Sequence, residues 1–291
     1  MVTRPAPATQ ARQVPAPILV LGAIVSVQFG GALAATLVPQ IGAGGSVVLR
    51  LLFGTVILLA MVRPRWRGHT PAAWATVIAF GLALGLMNFA FYASLAHLPI
   101  GVAVTVEFIG PLTLAAVFSR RVTDLLSVVL AGAGIVLISE ALTVPFADLP
   151  WRGLLLAATA GACWAAYILL SGRTGARFDR LEGLAIAMVV ATVVTLPFGI
   201  TTVGSWTPEV LAKGLGIAVL SSVLPYSLEL LALRRMTAQV FGILLSLEPA
   251  AAAVAGLVIL AQRLSLTQLI GMALVVVASA IVLGFSARKE P

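Results

Sequence analysis

Charged residues are scarce in this sequence. Asp, Glu, Lys and Arg make up 10% of its 291 residues, against about 25% in ordinary soluble domains. Cysteine is nearly absent, and the single Cys163 cannot form an internal disulfide. Its neighbours Ala162 and Trp164 indicate a thiol packed in the interior. The scarcity of charge argues against a soluble globular domain.

Metal-binding and catalytic patterns are missing as well. The two histidines, His69 and His97, stand without cysteine or carboxylate ligands at metal spacing, so the sequence predicts no metal and no cofactor. No Ser-His-Asp arrangement and no glycine-rich phosphate loop after a strand is recognisable. The net charge is +8, yet the basic residues form no basic domain. That distribution argues against nucleic acid as a partner.

Long apolar segments fill the chain, with charges confined to the short gaps between them. About 20 apolar residues, at 1.5 Å rise per residue, are enough to cross the ~30 Å hydrocarbon core as a helix. The first segment is too long for the core of a secretion signal, so we expect it to be retained. The sequence predicts ten such helices, at 18–38, 46–62, 73–96, 100–119, 125–141, 153–171, 183–201, 210–233, 238–261 and 266–285.

The distribution of Lys and Arg predicts the orientation in the bilayer. If both termini are cytoplasmic, 14 of the 18 basic residues face the cytoplasm. Only Arg152, Lys213 and Arg263 then face outward, and Arg50 lies within a helix. We therefore predict a multi-pass protein of a bacterial-type plasma (inner) membrane with both termini cytoplasmic.

Two prolines at corresponding places indicate an internal repeat. Pro111 and Pro249 are 138 positions apart, close to half the chain. Because five helices per half is an odd number, the second half enters the membrane from the opposite side, as in inverted-repeat carriers. The predicted fold is an all-α membrane protein with ten transmembrane helices, arranged as two inverted five-helix repeats around a central cavity. The predicted parts are a disordered cytoplasmic tail at 1–17, a first repeat at 18–141, an outer connecting loop at 142–152, a second repeat at 153–285 and a cytoplasmic tail at 286–291.

Four ionisable residues lie inside the predicted helices: Arg50, Glu107, Glu229 and Glu248. Each costs about 3 kcal/mol at the bilayer centre on insertion scales. A marginally stable fold carries them only if they face an aqueous cavity, pair with one another or are protonated. Glu140, at the outer end of the fifth helix, is interpreted as an interfacial residue.

Hydrogen-bonding residues share helix faces with these charges. Asn88 and Tyr92 are one turn apart in the third helix, and Ser222, Tyr226 and Glu229 follow one face of the eighth. A third stripe in the ninth helix contains Gly242, Ser246 and Pro249. Tight packing would explain any single stripe. Three stripes together favour a shared central cavity.

Further residues complete the predicted site. Gln28 interrupts the first helix, and Trp164 and Tyr167 offer aromatic walls in the sixth, although rings at this depth also serve ordinary packing. Prolines inside helices free a carbonyl and bend the axis. The predicted substrate-binding residues are Gln28, Arg50, Asn88, Tyr92, Glu107, Trp164, Tyr167, Tyr226, Glu229, Ser246 and Glu248, and the predicted kink or gating residues are Pro111, Pro225 and Pro249.

Several short motifs follow one another in a fixed order along the chain. They include Glu107-Phe108-Ile109-Gly110-Pro111, Ser119-Arg120-Arg121, Ser246-Leu247-Glu248-Pro249-Ala250 and Gln268-Leu269-Ile270-Gly271. In their order and spacing, from about residue 18 to 285, the chain resembles the EamA family of the drug/metabolite transporter superfamily. The resemblance implies a ten-helix fold with a central substrate cavity and export of small amino acids, of the threonine or homoserine type, or of related metabolites. One departure is Gln262, at a place where members of the family often carry a Glu.

The resulting hypothesis is an amino-acid exporter that works by alternating access. Glu107 or Glu248 would hold the ammonium group of a zwitterion, and Arg50 would hold its carboxylate or lock a glutamate. Remaining hydrogen bonds would fall to Asn88, Tyr92 and Tyr226. The membrane-embedded carboxyls make protons a candidate coupling ion.

Three alternatives stay open at this point. An exporter of lipophilic cations or drugs would use a glutamate to bind the cation. An intramembrane enzyme, such as a lipid-modifying transferase, is a remote alternative. A passive pore would be distinguished by a flux that fails to saturate.

Overall fold

The computed structural model describes residues 14–145, 149–260 and 264–287. All regular elements in these ranges are helices. The α-helices are α1 (Ala16–Val62), α2 (Pro71–Ser94), α3 (Ile100–Phe118), α4 (Val122–Ile138), α5 (Trp151–Arg177), α6 (Glu182–Gly199), α7 (Pro208–Ala218), α8 (Leu224–Leu233), α9 (Ala238–Leu245), α10 (Leu247–Leu260) and α11 (Leu266–Ala287). Short 3-10 turns lie at Ala141–Thr143 and Ile200–Ser205, and a π-helical turn at Val219–Val223 joins α7 to α8.

Three helices begin at a threonine that caps their first turn. The side chains of Thr70, Thr207 and Thr237 accept hydrogen bonds from backbone N–H groups three residues ahead, at the starts of α2, α7 and α9. Each bond satisfies a donor that a helix start leaves unpaired. Pro71 and Pro208 follow the first two caps, where a proline needs no N–H partner.

Seven helical stretches are long and apolar enough to cross a membrane, and three shorter apolar helices accompany them in the described residues. The shorter helices are Ala16–Gly31, Val122–Ile138 and Ala238–Val254. The all-helical membrane architecture predicted from the sequence is therefore confirmed, while the count of ten crossings stays a prediction.

The predicted gap between the first two helices is helical. Residues 39–45, expected to connect them, belong to α1, and the chain changes direction there at Gly42 alone (φ 71°, ψ 174°). A positive φ of this kind favours glycine, because glycine has no Cβ to clash with the backbone. One glycine therefore takes the place of a loop. The eighth and ninth predicted helices are each divided, at the π-helical turn and at Ser246.

The predicted boundaries of the tails and of the outer loop differ slightly from the structure. Helix α1 begins at Ala16 and α11 ends at Ala287, so each helix takes a residue or two from a predicted tail. The predicted loop at 142–152 contains a 3-10 turn and the first turn of α5. Residues 1–13, 146–148 and 288–291, together with Gln262, lie outside the described residues. Cys163 is partly buried against the core, as its neighbours indicated.

Helices from the two halves of the chain pack against each other through glycine. A Cβ on Gly134 of α4 would lie 2.7 Å from the carbonyl oxygen of Gly271 in α11. A Cβ on Gly271 would lie 2.7 Å from the carbonyl oxygen of Gly134. Gly134 also faces Val275, and Gly271 faces Ile138, so the two helices run antiparallel. The absence of side chains here lets the two backbones touch.

A second reciprocal contact joins α1 to α6. The hydroxyls of Thr55 and Thr192 are 2.8 Å apart and buried. Thr55 and Thr192 are 137 positions apart, and so are Gly134 and Gly271. Another contact pair, between Gly85 and Ala191, has its counterpart 137 positions away in Ser222 and Gly54. Contacts that repeat under exchange of partners are characteristic of an interface with two-fold symmetry.

The contact between α4 and α11 predicts that replacing two different glycines of α11 by alanine has unequal effects on stability. Gly271→Ala should destabilise the protein by about 1–3 kcal/mol, because the new Cβ forces two backbones apart. Gly284→Ala is the control, since a Cβ there would meet no atom within 4 Å, and alanine has the higher helix propensity. Thermal unfolding of both variants in one detergent measures the difference. Equal melting temperatures would contradict the packing described.

Candidate functional site

A cavity of about 220 Å³ lies between helices of both halves of the chain. One water needs only about 10–15 Å³ of such space, so the cavity has room for a solute of several heavy atoms. Its lining residues come from α1, α2, α3, α5, the π-helical turn, α8 and α10. They are Val27, Gly31, Arg50, Met87, Asn88, Phe91, Tyr92, Glu107, Trp164, Tyr167, Ser221, Tyr226, Glu229 and Glu248.

Nine of the eleven predicted substrate-binding residues line this cavity. The other two, Gln28 and Ser246, lie outside its lining. The Gln28 side-chain amide donates to the backbone carbonyl of Glu248 at 3.4 Å. The hydroxyl of the fully buried Ser246 donates to the carbonyl of Ile243 at 2.6 Å, where α9 ends. Both side chains hold the backbone near Glu248.

One part of the cavity presents hydrogen-bond donors. An Arg50 guanidinium nitrogen donates to the Tyr226 hydroxyl at 3.4 Å, and the Asn88 side-chain nitrogen donates to the same oxygen at 3.1 Å. The guanidinium also lies 5.7 Å from the centre of the Tyr92 ring. Within the described chain, Arg50 has no carboxylate partner in ion-pair range, and its Nε has no hydrogen-bond partner. This structure therefore does not contain the predicted alternative contact, an ion pair between Arg50 and a glutamate.

Three glutamates form a second pole of the cavity, separate from ion-pair contact with Arg50. The Tyr167 hydroxyl donates to Glu229 at 2.8 Å, and both residues are buried. The side chains of Glu107 and Glu248 accept no hydrogen bond from the residues that the structure describes. Glu107 is only 8% exposed. Two carboxylates therefore face the cavity with their hydrogen-bonding capacity unused.

Pro111 places an additional acceptor beside Glu107. Proline has no N–H, so the carbonyl of residue 107, four positions earlier in α3, loses its helical donor. Gly161 of α5 lies against that carbonyl, and a Cβ on Gly161 would be 2.5 Å from its oxygen. Gly110 touches Gly161 in turn. The proline and two glycines thus bring α3 and α5 together at the cavity wall.

Pro249 and Pro225 also stand at irregularities of the backbone. Pro249 occupies the first turn of α10, after the break at Ser246. Pro225 occupies the first turn of α8, directly after the π-helical turn. Pro111 therefore lies one turn after Glu107, Pro249 directly follows Glu248, and Pro225 directly precedes Tyr226. Each of the three predicted kink residues adjoins a helix segment that lines the cavity.

Five lining residues were missed by the sequence analysis. Val27, Gly31, Met87 and Phe91 are apolar and carry no signal that separates them from residues facing lipid. Ser221 was missed because the predicted stripe assumed 3.6 residues per turn and selected Ser222. The wider π-helical turn shifts the register by one position. Ser221 lines the cavity, whereas Ser222 is fully buried outside it.

Arginines join the two halves at the bundle end that contains residue 14 and the loops at 63–70 and 178–181. Arg65 contacts Asp179 at 2.6 Å and Glu182 at 3.2 Å. Arg177 donates to the carbonyl of Ala72 at 2.7 Å. The hydrogen bond to Glu182, the charge of that carboxylate and then the contacts to Asp179 raise the pKa of Arg65 above its ordinary value. Polar contacts therefore join the two halves at this end of the bundle.

The carboxylate pole predicts a measurable coupling between two residues. Tyr167→Phe should lower the free energy of unfolding by about 1.5 kcal/mol or more, because a hydrogen bond to a carboxylate is lost. The loss should shrink in the Glu229→Gln background, in a double-mutant cycle followed by thermal unfolding. Tyr92→Phe is the control, since the Tyr92 hydroxyl has no hydrogen bond within the described residues. Additive effects of Tyr167→Phe and Glu229→Gln would contradict the contact.

Comparisons with known proteins agree with this architecture. The model of the EamA-like transporter family matches residues 151–284. The threonine/homoserine exporter RhtA of Salmonella typhimurium is 41% identical over 282 residues, 94% of this chain and 93% of that protein. RhtA of Escherichia coli is 41% identical over 266 residues, 90% of this chain and 89% of that protein. A crystal structure of an 18% identical protein has a TM-score of 0.77 over 94% of this chain and 99% of its own, which shows a shared fold. The resemblance seen in the sequence is thus confirmed, and this chain belongs to the EamA-like transporter family.

Proposed function

We propose that this chain exports small amino acids of the threonine and homoserine type across a bacterial plasma membrane. The observation that carries the proposal is the division of the cavity into a donor pole at Arg50 and a carboxylate pole at Glu107 and Glu248. An α-amino acid has one carboxylate and one ammonium group, which match these two poles. The relatives named threonine/homoserine exporters, 41% identical over nearly the whole chain, support the same solute class.

The unused bonding capacity at each pole indicates how the solute binds. Arg50 has no carboxylate partner within the described residues, so the carboxylate of a solute supplies the missing counter-charge. Such charge-assisted hydrogen bonds are stronger than neutral ones. Glu229 already accepts from Tyr167, whereas Glu107 and Glu248 are available for an ammonium group. The solute then lies between α1, the second turn of α3 and the first turn of α10.

A lipophilic-cation exporter is the second candidate. It is favoured by the aromatic walls of Trp164 and Phe91 and by three glutamates against one arginine. A buried guanidinium in the same cavity disfavours it, because like charges repel strongly where water is excluded. Resistance to quaternary ammonium dyes without any amino-acid efflux would decide for this candidate.

We further propose that the chain crosses the membrane ten times, in two inverted five-helix halves at 18–141 and 153–285. Support comes from the reciprocal contacts of Thr55 with Thr192 and of Gly134 with Gly271. Residues related by a two-fold axis touch each other only on that axis. Because the helices joined by these contacts are antiparallel, the axis is perpendicular to them and lies in the plane of the bilayer. The two halves are then inverted with respect to each other.

Both termini are proposed to be cytoplasmic, from the excess of basic residues at that side. Contacts of Arg65 and Arg177 between the halves close this end of the bundle. Alternating access requires that they break when the cavity opens to the cytoplasm. The uncompensated carboxyls at Glu107 and Glu248 support protons as the coupling ion.

The proposed solute poses predict the effect of neutralising each pole. Arg50→Gln, Glu107→Gln and Glu248→Gln should each lower the specificity constant for threonine efflux roughly tenfold to a hundredfold, because a buried charge loses its partner. Efflux of labelled threonine from proteoliposomes measures this. Glu140→Gln, outside the cavity, is the matched control. Normal transport by Glu248→Gln would remove that residue from the mechanism.

The proposed closure at the Arg65 end of the bundle predicts that the cavity becomes more accessible from that end when the Arg65 contacts are removed. Arg65→Gln should increase labelling of a Val27→Cys cavity reporter from the Arg65 side about twofold to fivefold, since exposed ion pairs contribute about 0–1 kcal/mol. The single natural cysteine is first replaced, by Cys163→Ser. Arg67→Gln is the control, because Arg67 makes no ion pair within the described residues. Unchanged labelling in Arg65→Gln would contradict a closing role.

A further inference from the structure

Pro225 and Ser26 stabilise the π-helical turn at Val219–Val223. Pro225 supplies no N–H, so the carbonyl of Leu220, five positions earlier, lacks a donor from that residue. The Ser26 hydroxyl of α1 donates to this carbonyl at 2.6 Å instead. π-helical turns within α-helices occur frequently at functional sites. Here a proline and a serine on a facing helix together stabilise the turn.

Ser221, in the middle of this turn, lines the cavity, and its hydroxyl has no hydrogen-bond partner within the described residues. Several serines and threonines in these helices donate to the carbonyl four residues earlier, as Thr76 does to Ala72 and Thr192 to Met188, both at 2.8 Å. Ser221 makes no such bond, nor any other hydrogen bond within the described chain, although it is only 5% exposed. Its hydroxyl therefore keeps both its donor and its acceptor capacity for a molecule in the cavity.

Because Gly30 of α1 has no side chain, it leaves space for the side chain of Ser221. A Cβ on Gly30 would overlap the Ser221 hydroxyl oxygen and would lie 3.0 Å from the Ser221 backbone nitrogen. Ser221 also stands five positions before Tyr226, one π-helical turn away on the same side of the helix. Ser221, Arg50 and Tyr226 all line the cavity, so a solute that binds at the Arg50–Tyr226 contact shares the cavity with the Ser221 hydroxyl.

We propose that Ser221 determines specificity by hydrogen bonding to the side-chain hydroxyl of the transported amino acid. The inference rests on the proposed function, since it assumes an amino-acid solute held at Arg50. A solute hydroxyl pairs with Ser221 as donor and acceptor. A solute that lacks the hydroxyl leaves Ser221 unpaired in a site from which it has displaced water. Sites that hydrogen bond a substrate hydroxyl discriminate against the deoxy analogue for this reason.

The test compares threonine and homoserine with 2-aminobutyrate, which is the deoxy form of both. Efflux of each solute is measured in proteoliposomes of the full chain. Wild-type protein should prefer the hydroxyl solutes, and Ser221→Ala should lower the ratio of threonine to 2-aminobutyrate specificity constants about fivefold to tenfold. Ser221→Cys, which keeps the volume but weakens the hydrogen bond, should lower the ratio in the same direction.

Ser222→Ala is the matched control, because Ser222 belongs to the same turn but is fully buried outside the cavity. It should leave the ratio unchanged. A Ser221→Ala protein that loses transport of both solutes in equal proportion, or keeps the wild-type ratio, would overturn the inference. Wild-type protein that transports none of the three solutes would instead overturn the proposed function itself.

Discussion

The uncompensated charge of Arg50 is the constraint on which the site depends. A buried ion is costly unless hydrogen bonds or a counter-ion replace its lost hydration. In this structure a tyrosine hydroxyl and a tyrosine ring replace it only in part, and Nε has no partner within the described residues. The site is therefore suited to binding an anion. In the proposed function, the carboxylates of Glu107 and Glu248 in the same cavity select an anion that also carries a positive charge.

Close backbone approach is what brings these groups to one place. Gly110 and Gly161 join α3 to α5, Gly134 and Gly271 join α4 to α11, and Gly30 admits the π-helical turn against α1. In a bilayer, helices gain little from burying apolar surface against one another, so close packing of small residues carries the association. The polar residues then line the space that the packed helices leave between them.

The helices and most of the cavity were predictable from the sequence, because buried charge and proline are conspicuous in apolar segments. Arg50, Glu107, Glu229 and Glu248 were found by that signal alone. Finer features were not predictable, since they depend on the backbone. Because of the π-helical turn, Ser221 lines the cavity in place of Ser222. The turn at Gly42 within α1 takes the place of the predicted loop at 39–45. Met87 and Phe91 line the cavity with side chains that lipid would accept equally well. Gln28 has a polar side chain but bonds to a backbone carbonyl instead of facing the cavity.

The hydrogen bond between Thr55 and Thr192 has a mechanical consequence. In the proposed alternating-access motion, a buried contact within the interface moves less than a contact at the end of the bundle, so this bond persists in both conformations. Helix α1 continues beyond Thr55 to Val62, about 10 Å of helix, and Arg65 follows in the next loop. In that motion, a tilt of several degrees displaces the end of α1 by about an ångström and weakens the contacts of Arg65 with Asp179 and Glu182.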